Sequence, residues 1–252
     1  MEEKFLTDRV AVITGGSRGF GKAMGMALGK AGAKLSLVAR HKEQLDEAVA
    51  QAAKAGIEAE GFVADVSDET QVRQLEEKIV ARFGRVDILI NNAGTTVLKP
   101  VIEYTLAEWR KVIDTNLTAA FLMCRACVPH MRGRGYGRII SQASIMAHIS
   151  TPLRGPYSAS KAGLLGLTKS LAQELAPDGI TAVTISPGPF ATDMTAPVMA
   201  DPVRNQQFMD NVPLKRYGNV EEAAGLVLYV CSPAGGFITG SDILIDGGWT
   251  SR

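Results

Sequence analysis

Cysteine is scarce in this chain: Cys124, Cys127 and Cys231 are the three that occur, an odd number that excludes a disulfide framework. Cys124 and Cys127 do stand in CxxC spacing with His130 three residues on. They fall inside the run NLTAAFLMCRACVPHM, which reads as helix, without the reactive turn or further ligands of a redox pair or metal site. Small buried apolar side chains are the expectation, and no metal. An excess of either charge is also missing. With 27 basic and 26 acidic residues the formal net charge is +1, so nucleic acid and anionic membranes are set aside as partners. No apolar run reaches the roughly 18 residues of a membrane span. The opening stretch MEEKFLTDRV lacks the basic flank and apolar core of a signal peptide, so a cytoplasmic location is expected.

What the chain does have is length and alternation. Its 252 residues, 46% of them apolar, suffice for a large core, and one domain over 1–252 is expected. Short apolar runs alternate with longer amphipathic ones. Strands are read at 9–14, 34–39, 58–63, 87–90, 137–142, 180–185 and 242–246. Helices are read at 19–32, 42–55, 68–83, about 105–132, from about 156 onward, and at 220–231, with an irregular segment between the strand at 180 and the last helix. Strand and helix in such alternation predict right-handed crossovers and a doubly wound parallel sheet with helices on both faces. Ligands of such sheets sit at the carboxyl ends of the strands.

The motifs fall at those ends. After the first strand comes Thr14-Gly15-Gly16-Ser17-Arg18-Gly19-Phe20-Gly21, a glycine-rich turn opening a helix, where backbone can approach a pyrophosphate and free N–H groups favour its charge. Its spacing is GxxxGxG, not GxGxxG. The second strand ends in Ala39 and Arg40, with no acid to hold a ribose hydroxyl. Arg40 together with Arg18 instead suits a 2′-phosphate, which predicts NADP(H). Asp65-Val66 follows the third strand and Asn91-Asn92-Ala93-Gly94 the fourth, placing polar groups and a close-approach glycine along one edge. Asn116 interrupts an apolar helical run where Asn is disfavoured, either as a buried structural amide or as a functional one. Pro187-Gly188-Pro189-Phe190-Ala191-Thr192 breaks regular structure at the same edge, as a cofactor-covering loop would.

The reaction chemistry gathers between Ser144 and Lys161. Tyr157 and Lys161, four residues apart, project from one helix face. Hydride delivery to a ketone makes an alkoxide that needs a proton donor and a hydrogen-bond donor. Tyr157 can be the acid and Ser144 the anchor, and a neighbouring Lys161 ammonium lowers the phenol from about 10. An amphipathic Tyr beside a solvated Lys is the plain alternative for that spacing alone.

Taken together, TGGSRGFG at 14–21, Asp65-Val66, Asn91 to Gly94, Asn116, Ser144, YSASK at 157, PGPFAT at 187 and ITGSDILIDGG at 238 resemble, in this order, the short-chain dehydrogenase/reductase family. The likeness spans essentially the whole chain and implies a Rossmann-type fold. It implies Tyr157 as acid/base, Ser144 on the substrate oxygen, Lys161 on the phenol and the nicotinamide ribose, and Asn116 ordering a water that links Lys161 to solvent. By the same resemblance Gly15, Ser17, Gly19 and Gly21 frame the pyrophosphate, with Arg18 and Phe20 in the same loop. Asp65 and Val66 take the adenine, Asn92 the adjoining ribose beside Ala93 and Gly94, and Pro187, Gly188 and Thr192 the nicotinamide. The family needs no metal here, and its members commonly form tetramers through long helices, which lie at about 105–132 and 156–176 in this chain.

For the substrate, the stretches His148 to Pro156 and 192–213 are expected to vary, the second as a lid. Met146, Met194 and Met199 are read as a pliable wall, with Phe190 beside them, although core packing accounts for each methionine equally well. Arg154 is the cation beside the pocket, suited to a substrate carboxylate or phosphate or simply to solvent. The second half most resembles gluconate 5-dehydrogenase-like enzymes, and the 3-oxoacyl-carrier-protein reductases share the framework. A small keto or hydroxy acid is expected. A 3-oxoacyl thioester or cyclic ketone is the alternative, with Arg125, Arg132 and Arg134 as candidates for meeting a carrier protein. A non-catalytic NADP(H)-sensing module is the reading from another class.

Overall fold

Strand β1 (Val10–Thr14) is buried at every position, as a parallel strand covered on both faces must be. The computed structural model describes residues 4–192 and 195–251. Among them, β2 (Lys34–Ala39), β3 (Ala59–Val63), β4 (Ile88–Asn91), β5 (Gly137–Gln142), β6 (Ile180–Pro187) and β7 (Asp242–Ile245) join β1 in one sheet. Its order is β3-β2-β1-β4-β5-β6-β7 and every pairing among them is parallel.

Period-two alternation divides the sheet's side chains between two cores. Val12, Val38, Leu89, Ile139 and Ala182 meet Leu75 and Ile79 of helix α3 (Glu69–Phe83), while Ala11, Ile13, Leu35, Leu37, Ile88 and Ile90 meet Leu28 of α1 (Gly19–Lys30) and Leu45 of α2 (Lys42–Lys54) on the opposite face. Each such fully buried leucine or isoleucine contributes about 1.5–3 kcal/mol. Local signals set the helix ends: Asp68 accepts from the N–H groups of Thr70 and Gln71 to start α3, and Gly84, at φ 71°, ends it.

Two departures from the pattern reading have physical causes. The run at 105–132 is not one regular helix: α4 (Leu106–Ile113) passes through a π-helical turn at Asp114–Thr118 into α5 (Ala119–Cys127), then a 3₁₀ turn at Val128–His130. Such wide turns gather at functional sites, and Asn116 lies in this one. Within the segment expected to be irregular after β6 stand α7 (Ala196–Met199) and α8 (Pro202–Asp210). Asp201 accepts from the N–H groups of Val203 and Arg204, with Pro202 in the first turn, a start signal that was present in the sequence. α8 is tied to the last residues of the chain, with the Phe208 ring 4.8 Å from that of Trp249 at 71°. The remaining long helices are α6 (Gly155–Leu175) and α9 (Val220–Cys231). No helix among the described residues is long and apolar enough to cross a membrane.

Candidate active site

The strand order reverses between β1 and β4, and at their carboxyl ends opens a cleft of about 320 Å³. Thr14, the last residue of β1, holds the two ends together: its hydroxyl accepts from the N–H groups of Asn92 and Ala93, both at 3.0 Å. The Asn92 amide donates back to Thr14 O at 2.9 Å and Gly15 O at 3.1 Å. This clasp explains the glycines. Gly15 is at φ 64° and a Cβ there would stand 2.7 Å from the Asn92 amide nitrogen, while a Cβ on Gly21 would stand 2.3 Å from Gly15 O. Gly21 thus serves by close packing and does not line the cleft, whereas Gly15, Ser17, Arg18, Gly19 and Phe20 do.

α1 begins at Arg18 with no side-chain cap and no acidic residue in its first turn. Its leading N–H groups are therefore available to an anion, which fits the pyrophosphate of a dinucleotide. At the outer end stand Arg40, Asp65, Val66 and, unforeseen from sequence, His41 and Gln44. Arg40 and Asp65 lie 3.9 Å apart and half exposed, a loose pair that solvent weakens. Phe20 and Phe190 close one wall, ring centroids 4.9 Å apart. Phe190, expected beside the substrate, thus shares the wall of the dinucleotide cleft. Pro187, Gly188 and Thr192 complete this side.

Ser144, Tyr157 and Lys161 gather at the inner end with Ala93 and Gly94. Ser144 follows β5 as the cap of a 3₁₀ turn at Ile145–Ala147, accepting from Met146 N at 3.2 Å, and its hydroxyl is close enough to the Tyr157 phenol to favour the ionised form. Tyr157 and Lys161 share one face of α6, the ammonium 5.7 Å from the ring centroid. Burial pushes the Tyr157 phenol above its ordinary 10, opposed by the Ser144 hydrogen bond and the Arg154 charge. Burial outweighs the Arg154 charge in this geometry, so the direction is the reverse of the one expected from Lys161. Burial also lowers the Lys161 ammonium to about 8, and Lys161 donates to Gln142 O at 2.5 Å. That acceptor is backbone, which no side-chain pattern could have announced.

Asn116 lies behind this group rather than on the cleft wall. Its amide oxygen accepts from Thr95 N at 2.8 Å, and its nitrogen donates to Thr95 O and Ser160 Oγ, both at 3.0 Å. The side chain thus fixes the loop after β4, and neighbouring Thr115 is the residue of the wide turn that reaches the cleft. Met146 packs with Ile145, Met209, Val212 and Trp249 and leaves the cleft wall, Met199 is exposed, and Met194 lies outside the described residues. Cys124, Cys127 and Cys231 are buried, which pushes Cys124 and Cys231 up to about 12 and Cys127 up as well, leaving the thiols inert. Arg154 precedes α6, its guanidinium carbon 5.8 Å from the Tyr157 ring centroid. It follows Leu153, held at φ 72°, a conformation that costs a non-glycine residue on the order of 1 kcal/mol.

The parallel sheet, its switch-point cleft and a Ser-Tyr-Lys group at one end define a dinucleotide-dependent class of protein. A family model described as Enoyl-(Acyl carrier protein) reductase matches residues 15–250. A 3-oxoacyl-[acyl-carrier-protein] reductase from Synechocystis is 39% identical over 245 residues, 96% of this chain and 97% of its own. The gluconate 5-dehydrogenase of Gluconobacter oxydans is 34% identical over 240 residues, 95% of this chain and 94% of its own. The crystal structure of a gluconate 5-dehydrogenase from Burkholderia cenocepacia, in complex with NADP and tartrate, superimposes with a TM-score of 0.94 at 31% identity, covering 100% of this chain and 98% of the other. The chain belongs to the short-chain dehydrogenase/reductase family and is an oxidoreductase.

Proposed function

We propose that this protein interconverts a ketone and a secondary alcohol with NADP(H), on a small keto or hydroxy acid such as a sugar acid. The observation that carries the reading is the meeting of Ser144, Tyr157 and Lys161 at the inner end of the cleft that begins at the uncapped α1. Arg18 and Arg40 hold the 2′-phosphate, the turn from Gly15 to Gly19 the pyrophosphate, and Asp65 and Val66 the adenine. Asn92 holds the adjoining ribose, with Pro187, Gly188 and Thr192 by the nicotinamide. When bound, the nicotinamide supplies or accepts the hydride. Ser144 holds the substrate oxygen, Tyr157 gives it a proton in reduction and takes one in oxidation, and Lys161 carries charge beside the phenol. Asn116 keeps the loop at Thr95 in place, on the route by which a water joins Lys161 to solvent.

The stretch at 192–213, with α7 and α8, acts as the substrate lid. A homotetramer through the helices at about 105–132 and 156–176 accounts for the exposed Leu106, Trp109 and Phe121. An acyl-carrier protein is the weaker partner: Arg125 pairs with Glu69, Arg132 with Asp178, and Arg134 donates to the carbonyl of His130, so these cations are already engaged.

The test follows NADPH and NADH oxidation against 5-ketogluconate, acetoacetyl thioesters, cyclic diketones and aryl ketones. Turnover of the keto acid with a strong preference for NADPH is expected. Preference for NADH, or turnover confined to thioesters, overturns the cofactor or the substrate assignment respectively. Binding of NADPH with no turnover on any of them favours the sensor.

A further inference from the structure

Tyr157 and Lys161 share one face of α6 and Arg154 caps its start, so two cations flank the Tyr157 ring, at 5.8 Å for the Arg154 guanidinium carbon and 5.7 Å for the Lys161 ammonium. The two are placed differently. Lys161 is buried and lines the dinucleotide cleft, whereas Arg154 is half-exposed, does not line it, and lies one turn toward the start of α6. No carboxylate among the described residues pairs with Arg154, whereas Arg125, Arg132, Arg204 and Arg216 are each in an ion pair. Its place is also held at a cost. Leu153 has a left-handed backbone, and its carbonyl is pinned by Lys99 N at 3.3 Å and by the Tyr104 hydroxyl at 3.0 Å. That hydroxyl also lies 2.6 Å from Val97 O, so it clips the loop after β4 to the segment before α6. A strained residue pinned from another loop, immediately before an unpaired cation that flanks the reacting phenol, is the pattern of a held binding group.

Building on the oxidoreductase reading above, we infer that Arg154 is the specificity-determining residue, holding the carboxylate of the keto or hydroxy acid outside Tyr157, and that the clip of Leu153, Tyr104 and Lys99 aims it. A guanidinium presents a planar fork of donors that matches a carboxylate, so the same ketone is bound more tightly as its acid than as an uncharged ester. Arg154 also opposes the upward push of burial on the Tyr157 phenol. One cation thereby serves both recognition and the acidity of the proton donor.

The experiment compares keto acids, 5-ketogluconate among them, with their methyl esters, using NADPH and the full chain. For wild type, kcat/KM for the acid should exceed that for the ester by roughly 10- to 100-fold. Arg154→Gln should collapse this ratio to within a few-fold of unity, chiefly through KM for the acid, and Arg154→Lys should restore part of it. Tyr104→Phe, which removes the clip, should lower the ratio by roughly three- to tenfold. Thermal unfolding and NADPH titration of each variant establish that it is folded. A role confined to stability would depress acid and ester together and leave the ratio intact, which overturns the inference while the oxidoreductase reading stands. A wild-type preference for the ester overturns it equally. Absence of turnover on every carbonyl overturns both.

Discussion

Buried charge stands at both ends of the sheet, and it is partnered differently at each. At the amino end Asp87, fully buried, meets Arg9 at 3.0 Å and Arg85 at 2.6 Å and accepts from Val10 N at 2.9 Å. Arg138, also buried, donates to the carbonyls of Val230 and Gly137 and stacks 4.4 Å from the Tyr136 ring, which Arg9 covers at 3.9 Å. Asp87 thus has two cations as its complement, and Arg138 spends its donors on two carbonyls and its face on a ring. At the carboxyl end Lys161 is buried against a neutral acceptor, the Gln142 carbonyl, its ammonium lowered to about 8, and Arg154 has no acid among the described residues. A buried charge met by its opposite, as Asp87 is, is architecture, while Lys161, buried against a carbonyl beside the Tyr157 phenol, stands where a ligand or a reacting group completes the set.

The largest expected effect sharpens that contrast at the carboxyl end. Tyr157→Phe removes only the phenol oxygen and should lower kcat by roughly 10²- to 10⁴-fold while NADPH still binds, read by fluorescence titration beside steady-state rates. Retention of a tenth of the activity would assign the proton transfer elsewhere. At the amino end, Asp87→Ala leaves Arg9 and Arg85 without their anion. It should cost on the order of 3 kcal/mol in urea unfolding, with KM for NADPH within about twofold of wild type. A loss of cofactor affinity without a loss of stability would break the comparison.

The smallest effect has the opposite sign. Lys161 holds its proton less tightly folded, near 8, than at its ordinary 10.5, so below about 8 the fold carries the whole cost of the buried ammonium. Between those values the unfolded chain binds more protons, and stability from this group rises with pH. Lys161→Met should therefore be more stable at pH 7 by on the order of 1 kcal/mol, after the lost bond to Gln142 is counted, and inactive. The advantage should shrink as pH climbs from 8 to 10.5, measured by denaturant melts at several pH values. A variant less stable than wild type at pH 7 would place Lys161 with the architectural charges.

Much of this was legible in the chain for reasons that particular residues make plain. The two cores follow from alternation along VAVIT and its neighbours, since side chains two apart must share a face. The cleft follows because a parallel sheet places every strand-end motif on one edge, which is why Gly15, Asp65, Asn92 and Pro187 meet although they are far apart in sequence. The methionines were less legible: the composition that makes a pliable wall also makes a core, and Met146 is buried in a small cluster against which Tyr157 itself packs. The helices at Ala196–Met199 and Pro202–Asp210 escape a pattern reading because both are short and rich in turn-forming residues, so periodicity has little to act on.

By itself, then, the order of residues determined the elements, the parallel sheet and the edge at which chemistry gathers, because these depend on periodicity and on residue types at strand ends. Only the tertiary structure decided which charges are complemented, that burial and not Lys161 dominates the Tyr157 phenol, and that a backbone carbonyl of Gln142 receives the Lys161 ammonium. Tertiary structure likewise placed Arg154 beside the Tyr157 ring, and holds the carbonyl of Leu153 before it from a loop some fifty residues away. Desolvation and partnership belong to positions in space, and a chain read in one dimension carries them only after it has folded.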